Sequence, residues 1–302
     1  MAEKTELLKI NISNVNYRDA LEEIKKWLKE GGKKRYIVTP NPEIIIAAQR
    51  DRLLSKILNN ADLALPDGIG LLWASRIMGK PLKERVTGVD FMEKLCKLAA
   101  EEGLNVGLIG GKKQVAVKAA ECLKKRYPKL KVVLAQEEWE KEESEGSAFS
   151  PASKDLRSIL GSKIAMESGS RSRVASSCAE MRDIESLPLR VIPSRAQADL
   201  NHIPYTIYHT PVDILFVAFG APKQEIWISQ NLANLPVKVA MGVGGAFDYF
   251  AGVVPRAPRW MRSLGLEWLF RLVRQPWRIE RQFALVRFIS LVLKEKFFKS
   301  TT

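Results

Sequence analysis

Four short sequences combine glycine or proline with hydroxyl, amide and carboxylate side chains. They are Thr39-Pro40-Asn41-Pro42-Glu43, Pro66-Asp67-Gly68-Ile69-Gly70, Gly220-Ala221-Pro222-Lys223-Gln224-Glu225 and Gly242-Val243-Gly244-Gly245-Ala246-Phe247-Asp248. Each closes an apolar run. Asp67 has the chemistry of a general base if its pKa suits the task. Free N–H groups at the helix start after Gly220 favour an anion such as a diphosphate. Arg85-Val86-Thr87-Gly88-Val89-Asp90 adds a cation. The chain has no Asp-x-Asp pair for a divalent metal, so phosphate charge would have to be met by arginines, lysines and helix N-termini. Each segment also has a plainer reading: Asp67-Gly68 is a common turn pair, Thr39 and Asn41 are good helix caps, and Arg85 can pair with a surface acid.

The elements around these segments bring them together. Residues 8–12 read as a strand, followed by Asn16 as the cap of a helix carrying Ala20, Ile24, Trp27 and Leu28. Strands are predicted at 36–39, 63–65, 105–109, 131–134, 212–219 and 237–241. Helices are predicted at 43–58, 69–78, 88–100, 114–127 and 226–232. This alternation predicts an α/β fold, a Rossmann-like and mostly parallel sheet with helices on both faces. All strand carboxyl ends then share one edge, and the four polar segments converge on one cleft. Gly107-Leu108-Ile109-Gly110-Gly111 has the look of a nucleotide loop but misses the G-x-G-x-x-G spacing.

Between Gln136 and Thr210 the periodicity stops. Six glutamates in 137–145 give way to Ser, Gly and Ala and then to scattered prolines. This stretch reads as a disordered insertion, a mobile lid or an out-of-frame segment, and carries no assigned function. The domain reading is therefore an α/β catalytic domain over 1–254, atypical at 136–210, and a basic helical appendage over 255–302. The appendage is predicted as helices at 264–273 and 277–298, broken at Pro276. Phe283, Leu285, Val286, Phe288, Ile289, Leu291, Val292 and Leu293 lie there among basic residues, the pattern of an interfacial helix or of one packed on the body with an exposed basic face.

Net charge is +14 over 302 residues, and residues 253–302 hold eleven Lys or Arg against three Asp or Glu. Such a tail points to nucleic acid, an acidic membrane surface or a phosphorylated substrate. Two histidines argue against a His-based metal site or a Ser-His-Asp triad. Three scattered cysteines fit reduced thiols in the cytosol. The charged N-terminus lacks an apolar signal core, and no stretch approaches a membrane span.

Taken in order, the four segments, Arg85 to Asp90, and Arg256-Ala257-Pro258 followed by Gly265-Leu266-Glu267-Trp268 resemble the WecG/TagA/CpsF family of glycosyltransferases. The likeness covers about 8–135 and 211–298. Between Gln136 and Thr210, where the family has a shorter strand-and-helix connection, it lapses. The resemblance implies a metal-independent, inverting enzyme of wall teichoic acid or surface polysaccharide assembly with no cofactor. It would transfer N-acetylmannosamine or a related sugar from a UDP-sugar to a polyprenyl-diphosphate-linked N-acetylglucosamine. It would work in the cytoplasm, peripherally on the inner face of the cell membrane, and without nucleic acid. A homo-oligomer stays open. By motif, Asp67 is implied as the base. Thr39, Asn41, Arg85 and Gln224 line the donor and acceptor pocket, and Asp248 helps hold the nucleotide. Arg271, Arg274, Arg278 and Arg281 close over the diphosphates. Two other readings compete: a nucleotide-cofactor oxidoreductase, from the sheet and Gly107 to Gly111, and a non-catalytic binder of acidic lipid or nucleic acid, from the basic tail.

Overall fold

The structure is a computed structural model that describes residues 3–137, 207, 209–276 and 279–299. It opens with an antiparallel hairpin, β1 (Lys4–Leu7) and β2 (Ile10–Ser13). The predicted strand over 8–12 is thus broken. Leu8 and Lys9 both take left-handed backbone angles, φ 49° and 64°, and form the turn. Such a two-residue turn matches the twist of the strands it joins, but here it lacks the usual Asn-Gly.

Six further strands form one sheet: β3 (Arg35–Val38), β4 (Leu63–Ala64), β5 (Asn105–Gly110), β6 (Lys131–Gln136), β7 (Val212–Ala218) and β8 (Val237–Gly242). Their order is β4-β3-β8-β7-β5-β6, and every neighbouring pair is parallel. The α/β expectation holds. The central strands β5, β7 and β8 are buried almost throughout, so they read as continuous apolar runs rather than alternating ones. Helices cover the sheet with buried residues on their inward faces, among them Ile24 and Trp27 of helix Tyr17–Glu30 and Phe91, Leu95 and Leu98 of helix Gly88–Glu102. Asn16 caps the first of these in a capping box with Asp19.

Several helix boundaries differ from the sequence reading, among them the appendage helix expected over 264–273, which runs Glu267–Arg274 behind an unexpected helix Arg259–Ser263. The single helix expected over 43–58 is two, Pro42–Ala48 and Arg52–Asn60, because Asp51 takes an extended conformation and accepts from the N–H groups of Leu53 and Leu54. The helix after β7 begins at Lys223 rather than Ile226. Gly107 to Gly110 lie inside β5, where a Cβ on Gly107 would meet Leu215 Cδ1 at 2.9 Å, so these glycines serve strand and core packing and form no phosphate loop.

The C-terminal section carries helices Arg259–Ser263, Glu267–Arg274 and Ile279–Lys299. Phe288 and Val292 of the last are buried against Ile44, Ile45 and Ile46 of helix Pro42–Ala48 and Leu71 of helix Ile69–Ile77. Among the described residues no helix is long and apolar enough to cross a membrane. Of the atypical segment 136–210, all but 136, 137, 207, 209 and 210 lies outside the described residues.

Candidate active site

The parallel sheet puts the carboxyl ends of its strands on one edge, and two cavities open there. The larger, about 590 Å³, is walled by Thr39 beyond β3, Gly111 beyond β5, Gly220, Ala221 and Gln224 beyond β7, and Gly244, Gly245 and Asp248 beyond β8. The smaller, about 230 Å³, lies between the body and the C-terminal helices. Its walls include Gly68 to Gly70, Arg85 and Thr87 on one side and Gly265, Glu267, Trp268, Gln282 and Leu285 on the other. Six residues face both cavities: Asn41, Glu43, Asp67, Val89, Tyr249 and Arg271. A carboxylate at the junction of two binding spaces is placed to work on a bond formed between their contents.

Asp67 is held from both flanks. Its N–H donates to Pro40 O at 2.9 Å, and Gly88 N–H donates to its Oδ2 at 3.2 Å. Glycine at 88 permits this approach, since a Cβ there would press on Thr39 at 3.3 Å. Burial pushes the Asp67 carboxyl up to about 6. The Gly88 N–H and Arg85 pull it down, while Glu267 and Asp90 add to the rise. A carboxylate in that range is ionised at neutral pH and far more basic than an exposed one.

The other expected residues divide by what they touch. Asn41 Oδ1 accepts from Ile44 N–H at 3.0 Å, so half of its amide is a helix cap while the residue faces both cavities. Thr39 Oγ1 donates to Gly242 O at 3.4 Å on the wall of the larger cavity. Arg85 faces the smaller cavity and donates through Nη2 to Arg262 O. Gln224 is 2% exposed; its Oε1 accepts from Gly244 N–H at 2.9 Å and its Nε2 donates to Glu225 Oε1 at 2.8 Å. Its amide therefore braces the turn after β8. Asp248 and Arg271 flank the space over Gly245, where a Cβ would lie 3.3 Å from Asp248 Oδ2 and 3.4 Å from Arg271 Nη2.

Of the four expected C-terminal arginines, two have described side chains: Arg271 borders the cavities and Arg274 does not. The Arg271 guanidinium lies 4.9 Å from the Tyr249 ring centre, and its buried Nε has no hydrogen-bond partner among the described residues. Arg274 is exposed, stacked on Phe270 at 5.3 Å, and lines neither cavity. Arg278 lies outside the described residues, as does the side chain of Arg281. The helix start expected to hold an anion is partly spent: Gln224 N–H donates to Gly220 O and Ile226 N–H to Pro222 O.

Sequence reasoning passed over Glu43, Tyr249 and Trp268 as site residues. Tyr249 follows Asp248 directly, and Glu43 closes the first motif, so their neighbours were the available signal. Glu225 was also missed. It is 1% exposed, its Oε2 has no hydrogen-bond partner among the described residues, and burial pushes it up to about 7 against the Gln224 amide and its own N–H. The described residues contain no cluster of three or more His, Cys, Asp or Glu able to hold a metal ion.

The family model for the glycosyl transferase WecG/TagA/CpsF family matches residues 5–155 and 168–302. The chain belongs to that family. The match runs through most of 136–210, where the motif-by-motif likeness lapsed, and leaves 156–167 as the interior gap. A relative from Bacillus subtilis (strain 168) is 30% identical over 265 residues, covering 88% of this chain and 81% of its own length. One from Staphylococcus aureus (strain MRSA252) is 26% identical over 294 residues, covering 97% and 93%. Both are named N-acetylglucosaminyldiphosphoundecaprenol N-acetyl-beta-D-mannosaminyltransferase. The chain is thus a glycosyltransferase, and neither the oxidoreductase nor the non-catalytic binder reading is favoured.

Proposed function

We propose that this glycosyltransferase moves N-acetylmannosamine, or a closely related sugar, from a UDP-sugar to a polyprenyl-diphosphate-linked N-acetylglucosamine, with inversion and without a metal. The observation that carries this reading is the place of Asp67 at the junction of the two cavities. The larger cavity, walled by glycine turns and polar groups, takes the donor. The smaller one, with Ile69, Trp268 and Leu285 on its walls, takes the lipid-linked acceptor. Asp67 then removes the proton from the acceptor hydroxyl as that oxygen attacks the anomeric carbon, and the bond to the UDP oxygen breaks. Arg271, whose Nε has no partner among the described residues, meets charge developing on the leaving diphosphate. Thr39 and Asp248 bound the donor space, and Asn41 faces both substrates. The exposed Phe283, Val286, Ile289, Leu293 and Phe297 of helix Ile279–Lys299, interspersed with Arg287 and Lys294, rest on the inner face of the membrane.

Sugar transfer from UDP-N-acetylmannosamine to a lipid-diphosphate N-acetylglucosamine analogue, with EDTA present, tests the reading in wild type and Asp67→Asn. Wild-type transfer that the substitution removes is expected. Transfer that survives in Asp67→Asn would assign the base elsewhere, and wild-type transfer that EDTA abolishes would overturn the metal-free mechanism.

A further inference from the structure

Arg256 lines neither cavity, yet it makes four hydrogen bonds to two carboxylates. Its Nη1 and Nη2 reach Asp90 Oδ1 and Oδ2, the second at 3.4 Å. Its Nε and Nη2 reach Glu267 Oε1 and Oε2 at 3.1 and 3.2 Å. Its guanidinium also lies 5.4 Å from the Tyr249 ring centre. All three ionic side chains are mostly buried, with 20% exposed for Arg256, 28% for Asp90 and 16% for Glu267. Two-pronged pairing of this kind fixes direction as well as distance, and lysine cannot reproduce it.

The partners make the arrangement informative. Asp90 stands in the first turn of helix Gly88–Glu102, the helix whose Gly88 N–H holds Asp67. Glu267 opens helix Glu267–Arg274, which carries Trp268 and Arg271 into the cavities. The Tyr249 ring lies near both guanidinium groups, with Arg256 at 5.4 Å and Arg271 at 4.9 Å from its centre. We propose that Arg256 is a positioning residue for the transfer reaction, a clamp between Asp90 and Glu267 that holds helix Glu267–Arg274 closed over the smaller cavity. This rests on the reading of Asp67 as the base.

The clamp has a consequence for the base that distinguishes it from general support of the fold. Asp67 is faced by Arg85, by Asp90 of the clamp, by Glu267 and Arg271 of the closing helix, by Glu43 and by Tyr249, and it lies within electrostatic reach of Tyr17. Burial is the largest cause of its raised proton affinity, and Glu267 adds to it. If the helix swings away, both effects weaken, and the acid limb of the pH–rate profile moves to lower pH. Losing only the guanidinium charge, with the helix still in place, removes the cation from Glu267 and leaves Asp90 with Arg262 alone, whose Nη1 lies 3.6 Å away, and so moves the limb to higher pH. A variant that is merely less stable keeps the limb where it was.

The test uses full-length Arg256→Met and Arg256→Lys. Hydrogen exchange at residues 259–274 is expected to quicken on the order of tenfold in Arg256→Met, with the β3, β7 and β8 amides unchanged. The value of kcat is expected to fall on the order of tenfold or more with donor KM nearly constant, the acid limb is expected to shift down, and Arg256→Lys should recover the loss only in part. Unchanged exchange at 259–274, an acid limb that stays or moves up, or full recovery by lysine would each overturn the clamp. If the wild type transfers no sugar, the functional reading fails, and the exchange arm alone decides the clamp.

Discussion

The two cavities that share Asp67 are held by different forces. The larger is cut into the sheet edge. Its walls are strand ends in continuous parallel register, and its polar side chains are tied to backbone: Thr39 to Gly242, Asn41 to Ile44, Gln224 to Gly244. The smaller is closed by the C-terminal helices, whose short members Arg259–Ser263 and Glu267–Arg274 bury no residue fully. They are held by ion pairs through Arg256, by Arg262 Nη1 at 3.6 Å from Asp90 Oδ1, and by Arg85 donating to Arg262 O. On the proposed function, the sheet edge gives the donor a fixed space, whereas an ionically held lid suits an acceptor that enters from a membrane surface. Substitutions in the sheet wall should therefore act through donor affinity and stability, and those in the appendage through turnover, salt and membrane binding.

The largest effect is expected where both regions depend on one group. Asp67→Asn should lower kcat by roughly 10²- to 10⁴-fold, the usual range for a general base, and leave UDP binding by calorimetry intact. Wild-type kcat should rise through a midpoint near the Asp67 value of about 6 and level off above it, because the base works ionised. A lost UDP signal in Asp67→Asn would make Asp67 part of the donor wall instead.

Next is Glu225, buried in the sheet wall. Its proton affinity in the folded chain, near 7, lies above the ordinary value of 4.5. Folding therefore favours the protonated form. That advantage is complete below about 4.5 and is lost as pH rises towards 7. Glu225→Gln keeps an oxygen for the Gln224 amide and carries no charge, so it should gain stability over wild type between pH 5 and pH 8. The gain is on the order of 3 kcal/mol by urea unfolding. Parallel stability curves for the two proteins would mean that Glu225 finds a proton-independent partner.

The outer face of the appendage should give a smaller change, and in binding rather than in folding. Phe283, Val286 and Phe297 are between 63% and 70% exposed. Changing all three to serine should weaken sedimentation with anionic liposomes by roughly tenfold and leave UDP binding alone. Equal sedimentation would place the membrane contact on another face.

How far each region could be read from sequence follows the same division. The sheet edge was legible because local signals mark it: apolar runs such as Val212 to Phe219 stop at Gly220, and Asp67 comes three residues after β4 in a Pro-Asp-Gly turn. The clamp was not legible, because Arg256 and Asp90 are 166 residues apart and nothing local ties them. Arg274 looked equivalent to Arg271 in sequence, yet it closes the helix one turn further on, where it is exposed and lies over Phe270, while Arg271 borders the cavities. The hairpin was lost because Leu8-Lys9 carries none of the residues that favour left-handed turns.

The smallest effect belongs to a cap that sequence reasoning read through. Apolar spacing runs smoothly from Glu43 to Leu58, so one helix was expected. Asp51 breaks it by accepting at its Oδ1 from the N–H groups of Leu53, at 2.9 Å, and Leu54, at 3.0 Å. Those donors lie in the first turn of helix Arg52–Asn60 and have no partner within it. Asp51→Ala should cost about 1 kcal/mol of stability, the usual worth of such a cap, with kcat and UDP affinity unchanged because Asp51 borders neither cavity. A variant as stable as wild type would mean that the two helices merge into the single one the periodicity suggests. A change in kcat would mean that the break sets the position of Asn41 and Glu43 one helix upstream, and that the sheet wall is less independent of its surroundings than the contrast between the two cavities requires.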